Sequence, residues 1–79
     1  MFAAIGSDGT RLVVWGLGRT EKAAEKDAIA EARDSDVDPE LTHVVSITAA
    51  QAKRIRAGEV SVDTLGIALA GRGVRASRL

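Results

Sequence analysis

Between Glu21 and Asp34 the chain carries alanine at 23, 24, 28, 30 and 32, and this stretch constrains the fold more than any other. Alanine-rich sequence is strongly helical. Plotted at about 100° per residue, Ala24, Ala28, Ala32 and Ile29 share one side of the predicted helix. A stripe of such small side chains buries little area by itself, so the helix must lie close to a flat partner, which here is a sheet. Thr20 is the expected N-cap, and Glu21 meets the positive end of the helix dipole. Glu25 falls at the margin of the buried stripe.

The sheet comes from the flanking segments. Phe2 to Ile5 and Thr10 to Leu17 are β-prone runs separated by Gly6-Ser7-Asp8-Gly9, a hairpin signal because Asp and Gly tolerate positive φ. Strands are expected over 2–6 and 10–17. The second is apolar on both faces, with Leu12 and Val14 on one and Val13, Trp15 and Leu17 on the other, so both faces call for a cover or a partner. Leu41 to Ile47 alternates as a third strand, with His43, Val45 and Ile47 on one face. Thr48 then caps a short helix over 49–57 closed by Gly58. Ser61 caps another over 62–70, although Gly66 weakens it and leaves a short strand within 60–69 open. From about residue 71 the chain reads as a flexible basic tail. The expected fold class is α+β: one domain over residues 1–79, a three-stranded antiparallel sheet packed with helices, in the order β-β-α-β-α-α.

Size and composition narrow the function. A 79-residue domain has a thin core, and oligomerisation or partner binding can supply missing burial. There is no cysteine, which excludes disulfides and thiolate metal sites. No apolar run approaches the ~20 residues that span a bilayer, and the N-terminus lacks a signal-peptide pattern; a cytoplasmic protein is expected. Gly16-Leu17-Gly18 between strand and helix has the outline of a dinucleotide turn, but Glu21 occupies the third glycine position and would repel phosphate. His43 is the lone histidine, without triad or metal-ligand spacing. Trp15 reads as core. No cofactor, metal or catalytic residue is expected, and hence no enzyme.

Charge is what remains. Residues 1–42 carry nine acids against five bases, and residues 43–79 two acids against six bases, within a formal total of zero. On the alanine-rich helix Lys22, Lys26 and Arg33 gather on one flank and Asp27, Glu31 and Asp34 on another. Like charges at i,i+4 each cost a few tenths of a kcal/mol, roughly, so a helix tuned only for its own stability would mix them. The acidic flank continues into Asp36, Asp38 and Glu40. Together Asp27, Glu31, Asp34, Asp36, Asp38 and Glu40 form the candidate partner-binding set, able to imitate a run of phosphates before a basic groove. The basic counterpart is Lys53, Arg54, Arg56, Arg72, Arg75 and Arg78. Either set also reads as a solvated face.

Three resemblances bear on these residues. Arg54 to Leu65 is similar to the loop and fourth helix of Cro/repressor-type helix-turn-helix domains, which implies DNA binding. The hairpin followed by Thr20-Glu21-Lys22-Ala23 and an alanine-rich helix resembles the layout of HicB-type antitoxins, which neutralise a toxin partner. As an architecture, a very small cysteine-free α+β chain with a clustered acidic surface resembles phage-encoded anti-CRISPR proteins. That likeness implies an inhibitor of a CRISPR surveillance complex in the host cytoplasm, acting in some members as a DNA mimic. The leading expectation is such an inhibitory protein, its partner a protein or ribonucleoprotein complex. The alternative is an antitoxin or small transcriptional regulator binding a toxin and DNA. Pairing with a second copy stays open.

Overall fold

A computed structural model describes residues 1–36 and 40–69. The chain runs β1 (Phe2–Ser7), β2 (Leu12–Gly18), α1 (Glu21–Asp34), β3 (Glu40–Ser46), α2 (Ala49–Arg56) and α3 (Val62–Leu65). The fold is α+β. β1 is central in an antiparallel sheet of order β2-β1-β3, with α1 on one face and α2 and α3 on the other.

The hairpin closes as its residues dictate. Asp8 Oδ1 accepts from the N–H groups of Thr10 and Arg11 at 2.9 and 3.0 Å, and Gly9 takes φ +102°. The amides of Arg11 and then Thr10 hold the Asp8 carboxyl below its ordinary range, since they stabilise only its charged form. The strands are shifted slightly from expectation, ending at Ser7, starting at Leu12 and spanning 40–46 in the third case.

Two bulges reset the faces. Ala4 pairs with Gly16 but Ile5 with Val14, so Trp15 is an extra residue in β2. Beyond it the alternation is inverted. Leu17 therefore packs with Leu12 and Val14 against the α2–α3 layer, not with Val13 and Trp15 as strict alternation predicts. Gly16 and Gly18 consequently meet α1. A Cβ on Gly16 would lie 2.6 Å from the Ala24 carbonyl oxygen and 2.7 Å from Ala28 Cα. These glycines are not turn residues; they let a helix backbone rest directly on a strand. In β3, Ile5 pairs with His43 and Gly6 with Leu41, leaving Thr42 as the extra residue.

The core has two halves. Ala4, Ala24, Ala28, Leu41 and Val44 lie beneath α1, flanked by Phe2 and Trp15. Ala3, Ile5, Val14, Ile47, Ala52, Ile55, Val62 and Leu65 fill the other side. The expected alanine stripe is buried at 24, 28 and 32, whereas Ile29 is 43% exposed. At about 100° per residue, Ile29 lies on the flank of that stripe rather than within it. Thr20 and Thr48 cap α1 and α2, the latter in a full capping box with Gln51. The third helix is a single turn, not the run to residue 70 that the apolar spacing suggests. Gly66 ends it at φ +70°, and Ser61 makes no side-chain cap hydrogen bond. The strand option within 60–69 survives only as an isolated bridge between Ser61 and Val13. The basic tail lies outside the described residues.

Candidate acidic interface

The direction of α1 places the acidic flank. α1 lies mainly over β2, and Asp27 Oδ2 accepts from the Leu17 N–H at 2.9 Å. That amide belongs to the outer edge of the sheet, because Leu17 pairs with Ala3 while the neighbouring outward amide, Val14 N–H, donates to Val60 O at 2.8 Å. The Asp27 flank therefore overhangs the outer edge of β2. Glu31 and Asp34 follow at i+4 and i+7 on the same flank, roughly one and two turns further on.

The six acids are not equivalent. Asp27 is engaged internally, where its carboxylate blocks an edge amide that could otherwise pair with another chain. Replacing it with alanine should cost about 1 kcal/mol, the net worth of one such bond, read as a lower denaturant midpoint at unchanged slope; an unchanged midpoint would refute this role. Asp36 is the residue after the C-cap Ser35 and sits at φ +57°, a conformation Asp tolerates, with its N–H donating to Arg33 O at 3.1 Å. Its side chain stays exposed. Glu31 and Asp34 are exposed, and neither makes an ion pair with a described residue. Glu40 opens β3, opposite Ser7 and so at the other edge of the sheet. Asp38 lies outside the described residues. The structure thus brings Asp27, Glu31 and Asp34 into one line, with Asp36 at its end, and sets Glu40 across the sheet.

The basic set divides as well. Arg54 is bound by Glu59 through two hydrogen bonds of 2.8 and 3.0 Å and also donates to Thr64 O at 3.2 Å, tying α2 to α3. The guanidinium holds the Glu59 carboxyl below its ordinary range, chiefly through the hydrogen bond. Lys53 and Arg56 remain exposed on the last turns of α2, where they also suit the helix dipole. Arg72, Arg75 and Arg78 lie outside the described residues.

The other candidates are placed as follows. His43 is half-buried on β3, its Nδ1 hydrogen-bonded to Thr42 Oγ1 at 2.8 Å. Trp15 packs against the α1-side core, its indole N–H buried without an acceptor among the described residues. A shallow cleft lined by Arg11, Leu12, Val62, Asp63, Ile67 and Leu69 lies beside α3. Among the described residues no three His, Asp or Glu side chains are placed to hold a metal ion, and no helix is long and apolar enough to cross a membrane.

Sequence reasoning missed the edge-blocking roles of Asp27 and of Val60 and Ser61. Ten residues separate Asp27 from Leu17, and no local pattern announces the contact. No known protein family, characterised protein or solved structure matches the chain.

Proposed function

We propose that this is a non-catalytic inhibitory binding protein that offers the α1 flank and the turn after it to a positively charged surface. The target is a nucleoprotein complex of the CRISPR surveillance type, the reading that the anti-CRISPR-like architecture favours. The observation that carries it is the segregation of charge on α1. Asp27 and Glu31 repel at i,i+4, Asp34 and Asp36 extend the line, and no described lysine or arginine neutralises Glu31 or Asp34. A row of carboxylates at roughly one-turn intervals presents lysines and arginines that grip phosphates with comparable charge. Such a field also steers encounter, so binding is sensitive to salt.

The test is the double charge reversal Glu31→Lys with Asp34→Lys. Both side chains are exposed and unengaged, so the fold survives, and Asp27 keeps its hold on Leu17. Phage plating on hosts carrying individual CRISPR systems reads inhibition, and titration against the inhibited complex reads affinity. Wild type should protect phage in at least one system. The variant should lose that protection, bind at least tenfold more weakly and show a shallower salt dependence. Inhibition that survives the reversal, or wild type that protects in no system, refutes the proposal.

A further inference from the structure

The sheet has two edges, and the described residues close only one of them. Along β2 the outward Val14 N–H is taken by Val60 O and the outward Leu17 N–H by Asp27, with a further bridge between Val13 and Ser61. Along β3 the parity of the backbone can be read directly. Ile47 N–H donates inward to Met1 O, and Val45 and His43 pair with Ala3 and Ile5, residues of the same parity on β1. Val44 and Ser46 therefore turn their N–H and C=O groups away from the sheet, and no described residue meets them.

Natural edges are normally blunted by lysine, proline, an inward charge or a bulge, and β3 carries only the bulge at Thr42 within residues 41–46. Residues 41–46, Leu-Thr-His-Val-Val-Ser, contain no lysine, arginine, aspartate, glutamate or proline. From His43 to Ser46 the edge is regular and carries none of the blocking residues, so it can pair.

We propose that the outer edge of β3 docks the same edge of a second copy of this chain, antiparallel, joining two sheets into one of six strands. A two-fold axis at Val44 satisfies the pattern. Val44 then exchanges hydrogen bonds with its own counterpart, and, because Thr42 is the extra residue of β3, Ser46 stands opposite Leu41 of the second copy. Charge is compatible across that axis. His43 faces Val45 rather than another histidine. Glu40 comes to the level of Ile47 of the second copy, next to Thr48, the N-cap of an α2 whose first turn holds no acid of its own. Because the opposite edge of each protomer is occupied, pairing stops at two and gives a closed isologous dimer rather than a fibre. The acidic flank stays free at the far edge, so this pairing is independent of the proposed inhibitory role.

Sedimentation equilibrium combined with amide exchange tests the proposal on the intact protein. Wild type should show twice the chain mass at high concentration and dissociate on dilution. Protection of the Val44 and Ser46 amides should rise with concentration, while Val45 and Ile47 stay protected throughout. Ser46→Pro removes one outward donor at an exposed position and should shift the mass toward the monomer with an unchanged circular dichroism spectrum. A strictly monomeric mass up to millimolar protein, an open-ended assembly, or a dimer whose Val44 and Ser46 amides exchange freely overturns the assignment. The exchange data decide the matter even if the proline variant does not fold.

Discussion

Gly16→Ala should destabilise the protein by about 3 kcal/mol, the upper end of overpacking effects. One methyl group does this because its nearest neighbours are backbone atoms. Ala24 O and Ala28 Cα would stand 2.6 and 2.7 Å away, with Ala28 N closer still. A flexible side chain could swing aside, but a helix backbone cannot yield without moving whole. α1 would have to lift from β2, uncovering Ala24, Ala28 and the Asp27–Leu17 bond together. Two terms favour alanine. It lowers the entropy of the unfolded chain, and it is less ill-suited than glycine to a strand interior, together about 0.5–1 kcal/mol. The steric term wins. Against a typical total of about 5–15 kcal/mol, a domain this small would be left near the edge of folding. Gly9→Ala is the control: nothing lies within 4 Å of its Cβ, so only the φ of +102° resists. It should cost about 1 kcal/mol. Chemical denaturation of both variants separates the outcomes, and a Gly16→Ala midpoint equal to wild type would show that α1 does not bear directly on the strand.

Ile5→Ala should cost about 4 kcal/mol, within the range for a large aliphatic residue cut back in a packed core. Ile5 is the largest fully buried side chain, at 0% exposure on the central strand, in a cluster with Val14, Ile47, Ile55, Val62 and Leu65. Helices and sheet converge on it, so little can collapse into the vacancy. Ile29→Ala removes the same atoms from a site that is 43% exposed and should change stability little at concentrations where the protein is monomeric. Thermal unfolding of the two variants makes the comparison, and equal losses would contradict the assigned core.

Much of this architecture is written locally. Asp8-Gly9 between β-prone runs specifies the hairpin, Thr20 and the alanines specify α1 to the residue, and Thr48 with Gln51 specifies the start of α2. Each rests on interactions spanning four residues or fewer, which is why pattern and propensity suffice. The acidic flank was legible for the same reason, since Asp27, Glu31 and Asp34 share a side of any α-helix. What escaped were decisions involving a partner distant in sequence. Leu17 changes face because Trp15 is bulged out opposite Ala4 and Ile5. Ile29 is a different case, since at about 100° per residue it already stands on the flank of the alanine stripe, where it is 43% exposed.

The sequence by itself determined the helices and strands as far as α2, their order, and the separation of acidic from basic surface, while residues 60–69 stayed open between helix and strand. Tertiary structure alone decided how each charge is used. Asp27 guards a strand edge and Arg54 staples two helices, whereas Glu31 and Asp34 are exposed and form no ion pair with a described residue. It also decided which sheet edge the described residues cover. The reason is physical: hydrogen-bond partners and edge order are set by where the strands and helices dock, and docking is fixed by the whole core at once rather than by any short run of residues.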